Sequence, residues 1–426
     1  MEPKLKRAVG LVTLTMYGVG IILGAGVYAI VGKASGEAGN SVWLSFLVAS
    51  LVSMFTGVSY MELMSMFQRS AAEYVYVKHS LGSRLGAFVV GWIEIVADIV
   101  AASTVAIAFA GYFVGLFGGH LVVVAIALIA LLSIVNFWGI AESTKLNVVF
   151  SLIEVLGLLI VIAVAIPYIG TVDLMEMPGG ITGVLSASAL IFFAFIGFED
   201  IANIAEETRQ PEKTAPRALL FSLIATTAIY VLVGISAVSL VSYEQLAASN
   251  APLALAISGA LGSDAFTLMS VIALFATANT VLVLLIVGSR MMYGMSSDGS
   301  LPKMLSRIHK GRRTPWAAVL LIMLCTMLFA LLENIKIVAS IADFSTFAVY
   351  FFVNASLIIL RYKEPSRERL FKAPLNIGKF PTIPFFGLLT IVLLAANLDP
   401  FTILVGLIIL FAAVPAYYAI NKLWKS

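Results

Sequence analysis

Apolar runs of about 20 residues, the length that spans a bilayer, recur along the chain with short polar connections between them. They fall at about 8–32, 41–66, 86–117, 120–139, 145–168, 183–205, 216–241, 265–296, 315–332, 337–360, 383–398 and 400–421. The pattern predicts twelve transmembrane helices. Prolines such as Pro167, Pro211, Pro216, Pro252, Pro302 and Pro315 fall at the ends of these runs or between them. Only Pro415 lies well inside a run, where a kink is expected.

Two runs carry residues that a membrane helix tolerates poorly. The first contains YGVGIILGAGVY, Tyr17 to Tyr28, with glycine at Gly18, Gly20, Gly24 and Gly26. Clustered glycines weaken a helix, and a broken helix survives in hydrocarbon only where protein or a polar cavity satisfies its freed backbone groups. Such a break predicts a binding site, its half-helix N-terminus offering N–H groups to an anion. The alternative is close helix packing through the small residues Gly20 and Gly24. The sixth run reads FFAFIGFED, Phe192 to Asp200, where Gly197 precedes Glu199 and Asp200. Glu199 lies ~16 residues, or ~24 Å, into its run, a depth at which ionisable groups face a protein interior or a water cavity. The alternative is a helix that ends there at the membrane surface. Runs one and six each open a block of five, and interrupted helices in corresponding positions point to an inverted-repeat transporter.

Composition agrees with a polytopic membrane protein: 61% of residues are hydrophobic, only 12% are charged, and the mean hydropathy is +1.04. With a cytoplasmic N-terminus and alternating spans, 24 of the 26 lysines and arginines fall in cytoplasmic segments, leaving out only Lys33 and Lys336. The positive-inside rule therefore predicts that both termini are cytoplasmic, in a cell membrane. The basic start MEPKLKRAVG has no small-residue cleavage site, so the first run is expected to stay in the mature protein. A single cysteine, Cys325, forms no intrachain disulfide, and His79, His120 and His309 show no metal-ligand spacing.

The motifs in these runs resemble the amino acid–polyamine–organocation (APC) transporter superfamily, amino acid permease type. Gly18, Gly20, Gly24, Gly26 and Tyr28 match its glycine-rich first-span signature, and Phe193 to Glu199 its broken sixth span. Glu206, Glu207, Pro211, Pro216, Arg217 and Ala218 resemble the loop that follows. YMELMSMFQRSAAEYVYVKHSLG resembles the end of span two, departing at Phe67, where proline is common, and at Ala71 and Ala72, usually glycines. GSRMMYGMSSDGSLPK from Gly288 and NASLIILR from Asn354 resemble the ends of spans eight and ten. The likeness implies an all-α polytopic fold of twelve helices with a five-plus-five inverted-repeat, leucine-transporter-like core and broken helices 1 and 6. That is one domain, 1–426, with repeats at 8–168 and 183–361 and two further helices at 383–421.

By the same resemblance, N–H groups at Ala25 and Gly26, beside Gly24, hold a substrate carboxylate. Carbonyls near Ile22, Phe193 and Ile196, beside Gly197, hold its ammonium, with Phe193 as an aromatic gate. A zwitterion needs this pairing of half-helix ends, although backbone groups read only what all amino acids share.

Side-chain selectivity and coupling fall to acids within the spans. Glu94 and Asp98 share one face of span three at i, i+4 spacing. Aligned through Trp92 and Gly111-Tyr112, Glu94 falls where family members line the side-chain end of the pocket, which favours cationic substrates. A position at the wet cytoplasmic end is the alternative. Glu154, the one charge in the apolar stretch of span five, stands where several family members place a lysine at a coupling-sodium site. A carboxylic acid there can carry a proton or ligate sodium. Asn279 and Asp343 could line the outer path or be satisfied structural groups, and Glu62 and Glu142 are expected to organise loops.

The function predicted is secondary transport of amino acids by alternating access, driven by a proton gradient or running as exchange. Polyamine or cationic amino acid transport and sodium symport are the alternatives, with a membrane enzyme or receptor more remote. An enzyme would need a nucleophile–base or metal constellation, a receptor a larger ectodomain, and a primary pump a GxxxxGK[ST] loop. The expected partners are an amino acid and the lipid bilayer. No nucleic acid and no cofactor are expected, and the sequence assigns no oligomeric state.

Overall fold

The computed structural model describes residues 10–67, 72–138, 143–199, 201, 208–310, 312 and 314–424. Each of the twelve apolar runs is helical over most of its length. The first is split into α1 (Leu11–Ile22) and α2 (Gly26–Ala38), followed by α3 (Val42–Met66) and a surface helix α4 (Ala72–Leu81). Next come α5 (Arg84–Phe117), α6 (Leu121–Trp138), α7 (Ser143–Ala165) and α8 (Gly180–Ile191), which tightens into a 3-10 turn at Phe192–Phe195. The chain continues through α9 (Pro211–Leu240), the short α10 (Tyr243–Ala248) and α11 (Pro252–Leu261), and α12 (Ser263–Ser297). α13 (Trp316–Ala330), α14 (Ile335–Lys363), α15 (Thr382–Ala396) and α16 (Pro400–Trp424) complete it, with a two-residue hairpin, Asn376–Ile377 against Phe380–Pro381, before α15. Among the described residues, eight helical runs are long and apolar enough to cross a membrane, and the first halves of the broken runs, Leu11–Ile22 and Gly180–Phe195, are among the shorter apolar helices.

Local chemistry sets the ends. Ser83 caps α5 by accepting from Gly86 N at 3.1 Å, and Asn334 caps α14 by accepting from Ile337 N at 3.2 Å. Contrary to the sequence expectation, Pro216 does not mark a helix start. α9 begins five residues earlier, at Pro211, whose missing N–H costs nothing at that position. The helix runs on beyond the apolar stretch because its first turns are polar and need no membrane. Pro415 lies within α16, as expected.

α5 is the central element, packed along α12 and α14, while α3 and α1 lie against α9 and α2 lies against α8. α16 is peripheral: Leu404, Ile408 and Phe411 form an exposed stripe at i, i+4, i+7, the side a bilayer would cover. α10 and α11, short helices within a connection, cover one end of the molecule. Lys33 on α2 donates to the carbonyl of Ala247 at 2.6 Å there, and Lys336 pairs with Glu37. The two basic residues outside the cytoplasmic count thus both tie elements at this covered end.

Candidate functional site

The first break spans Leu23–Ala25. The Leu23 amide still donates to Val19 O at 2.8 Å and Gly24 N to Ile21 O at 3.3 Å, so α1 tightens as it ends. Ala25 N then donates to Thr280 Oγ1 on α12 at 3.1 Å. In the second break Ile196 is extended, with ψ 140°, and Gly197 takes φ +109°, a conformation that suits glycine alone. The Glu199 carboxylate holds this turn: its Oε2 accepts from Gly197 N at 3.0 Å and from the Tyr350 hydroxyl of α14 at 2.6 Å. The depth of Glu199 is therefore explained by a protein interior, as the sequence suggested. Asp200, Glu206 and Glu207 lie outside the described residues, as do Ala71 and Glu142.

The two breaks touch. A Cβ on Gly26 would stand 2.6 Å from the Ala194 Cα, so glycine is required there for backbone to meet backbone. Tyr230 on α9 joins them, its hydroxyl donating to the carbonyls of Ile22 and of Ala194, the latter at 2.9 Å. The ring is wedged edge-on against Phe195 at 5.2 Å. Replacing Tyr230 by phenylalanine is expected to keep this packing but leave two buried carbonyls without their donor, at a cost of about 1–3 kcal/mol. A lower Tm of the purified protein in detergent would register that loss.

A cavity of about 80 Å³ opens beside the breaks. Gly24, Ile196 and Gly197 line it from the broken helices, Glu94 and Asp98 from α5, Ser151 and Glu154 from α7, and Asn279 and Thr280 from α12. Five of the expected site residues thus meet here: Gly24, Glu94, Glu154, Ile196 and Gly197. The other four do not line it. Gly26 is spent on the contact with Ala194, and the Ala25 N–H is taken by Thr280. The Ile22 carbonyl is taken by Tyr230, and that of Phe193 accepts from Ile196 N at 3.4 Å.

Glu154 is 1% exposed, and its Oε1 has no hydrogen-bond partner among the described residues. Its backbone carbonyl accepts from the Tyr28 hydroxyl at 2.8 Å, fixing α7 against α2.

A wider vestibule of about 560 Å³ shares Glu94, Asp98 and Glu199 with the cavity and continues past Glu73 and Arg290 to Asp298. Glu94 is therefore both a pocket residue and a group near the wet end of its helix. At the rim the Tyr74 hydroxyl donates to Asp298 at 2.7 Å, and Lys78 lies 3.7 Å from the same carboxylate. Burial, together with the bond to Asp298, pushes the Tyr74 hydroxyl up to about 12, so it remains a neutral donor at ordinary pH. Glu62 organises the loop after α14, as expected: it pairs with Arg361 at 2.6 Å and Arg369 at 3.0 Å and accepts from Ala373 N at 2.7 Å.

Sequence reasoning missed Thr280, Tyr230 and Tyr350. Each is a hydroxyl within an apolar run, and its partner lies 36 to 255 residues away in the chain. Only an unpaired polar atom in hydrocarbon, which must find a partner, hinted at them.

A family model described as amino acid permease matches residues 5–422. The chain is 31% identical to the branched-chain amino acid permease BcaP of Bacillus subtilis (strain 168), over 96% of this chain and 93% of that protein. It is 29% identical to the human cationic amino acid transporter 4 over 86% of this chain and 61% of that protein. Against the human cystine/glutamate transporter it is also 29% identical, over 97% of this chain and 85% of that protein. The paired helix breaks and the near full-length match lead to one conclusion: the chain belongs to the amino acid permease family of the APC superfamily, multi-pass membrane transporters rather than enzymes.

Proposed function

We propose that this protein is a secondary active transporter that moves amino acids across the cell membrane by alternating access. The observation that carries the reading is the side-by-side packing of two interrupted helices at a small cavity that continues into a wider vestibule. In this reading residues 8–168 and 183–361 form two inverted repeats of five spans. The helices of 383–421 flank them, giving twelve spans in one leucine-transporter-like domain. The distribution of basic residues supports cytoplasmic termini, and the vestibule then opens to the cytoplasm.

A substrate carboxylate takes the place of the Thr280 hydroxyl at the N–H groups of Ala25 and Gly26. The Ile196 carbonyl faces its ammonium, and those of Ile22 and Phe193 join it once released from Tyr230 and from the Ile196 N–H, with Gly24 and Gly197 allowing the approach. Glu154 carries the coupling proton; as a carboxylate it would ligate sodium instead.

A second reading, transport of cationic amino acids or polyamines, is favoured by Glu94 and Asp98, which line both cavity and vestibule. A substrate ammonium or guanidinium entering there would be attracted by both carboxylates. Uptake of labelled leucine and lysine into proteoliposomes, with and without pH and sodium gradients, tests the whole reading; no uptake of any amino acid sinks it. For selectivity, lysine, arginine and putrescine are expected to compete better than alanine in the parent. Glu94→Gln is expected to reduce that preference by about tenfold, a loss of ~1.4 kcal/mol. Identical rankings in parent and variant would exclude Glu94 from the pocket's selectivity.

A further inference from the structure

Asp343 lies eight residues into α14, ~12 Å along the helix. It is fully buried, and among the described residues neither of its carboxylate oxygens has a hydrogen-bond partner. It shares a helix face, at i+4 and i+7, with Phe347 and Tyr350. Phe347 packs on Phe192 at 4.7 Å, and Tyr350 holds Glu199, so this face is turned toward the break in the sixth run. Asp343 lines neither the vestibule nor the cavity beside the breaks.

Among the described residues, the charged groups on elements packed against α14 lie or pair elsewhere. His79 packs on Phe67, Arg84 lies near Tyr74 at the vestibule rim, and Lys422 is in the last turn of α16. Glu37 pairs with Lys336, Lys33 with the Ala247 carbonyl, and Glu62 with Arg361 and Arg369. Glu73 accepts from Tyr60, Lys78 pairs with Asp298, and Lys363 bonds to the Ser80 carbonyl. Glu94 and Asp98 lie on the vestibule wall, and the ring of Tyr417 on α16 packs at a tilt against Phe88. An ionised carboxylate so enclosed, with neither hydrogen bond nor counter-ion, costs many kcal/mol, and such a group takes up a proton instead.

We propose that Asp343 is a second proton-binding site, one that exchanges its proton only when the transporter opens at the end covered by α10 and α11, opposite the vestibule. The site rests on alternating access as proposed above, but not on the coupling role of Glu154. When that end opens, water reaches the carboxyl and it releases its proton to the outer solution. Closure buries the group again and requires a proton back from the same side. Outer acidity thus favours closure, and outer alkalinity holds the open form, without a net proton crossing. The ligand is a proton, and the site gives the protein a sensor of outer pH.

Two measurements decide it. In proteoliposomes at fixed inner pH, substrate exchange by the parent is expected to fall, approaching tenfold per pH unit, as the outer medium rises above the midpoint. Asp343→Asn, a neutral isostere of the protonated acid, is expected to match the parent at acid outer pH and to exchange faster than the parent at alkaline outer pH. An unchanged outer-pH dependence in the variant overturns the proposal. The second measurement uses the parent protein alone. A hydrophobic carbodiimide, which reacts with protonated carboxyls, is expected to modify the Asp343 peptide by mass spectrometry, more at acid outer pH. No adduct at any pH overturns the proposal even if the variant does not fold. Failure to exchange any amino acid would count against the transport reading, and the adduct would still decide Asp343.

Discussion

Glu154→Gln is expected to leave one-for-one substrate exchange nearly intact and to abolish accumulation driven by a pH gradient. The carboxyl is buried at 1% exposure in the wall of the cavity, with one oxygen unpartnered among the described residues. Ionising it there without a counter-charge costs several kcal/mol, so binding a proton and binding the substrate next to it favour each other. If one proton moves with each substrate, one pH unit is worth ~1.4 kcal/mol and supports about tenfold accumulation. Glutamine copies the shape of the protonated acid but cannot release a proton, so the accumulation ratio should fall to about one while exchange continues. Proteoliposomes loaded with substrate, assayed with and without an imposed pH gradient, separate the two activities. If the variant still concentrates substrate on the pH gradient alone, Glu154 is structural. A parent that requires sodium and ignores pH would make the carboxylate a sodium ligand.

Gly26→Ala is expected to eliminate transport through the fold itself, and Gly20→Ala to have little effect. A Cβ at Gly26 would lie 2.6 Å from the Ala194 Cα, and backbone on the other side cannot rotate away. The two breaks would have to separate, straining or breaking the bridge that Tyr230 makes between them. Overpacking of this kind costs about 1–3 kcal/mol or more, here at the point on which the cavity is built. A Cβ at Gly20 meets only Ser151 at 3.6 Å, an ordinary contact. Folded yield by size-exclusion chromatography, Tm and exchange activity of the two variants check the contrast. A Gly26→Ala protein with parental Tm and exchange would mean that the breaks are not held together as described. Because the substitution disturbs packing, it cannot by itself report the carboxylate contact. Substitution of Thr280, which occupies the Ala25 N–H, is the cleaner probe of that contact.

The sequence by itself determined the membrane class, the twelve helical runs and the two places where helices must fail. These are local properties: apolar length, glycine content and a carboxyl at depth each act within one segment. The expectation that Glu62 organises a loop was also legible, since a buried acid must find cations, and Arg361 at the end of α14 and Arg367 and Arg369 in the loop after it supply three. What only the tertiary structure decided was how the backbone groups of the breaks are used. Ala25, Ile22 and Phe193 carry N–H and C=O groups that any residue would carry, so sequence could mark the break but not show that Thr280, Tyr230 and Ile196 occupy them. The meaning of Gly26 changed for the same reason. Glycine admits a ligand or a neighbouring backbone equally well, and only the position of Ala194, 168 residues further along the chain, distinguishes the two. Asp343 remained undecided in the sequence because one buried acid reads alike whether it is satisfied or not; its enclosure among neighbours with other partners is a property of packing.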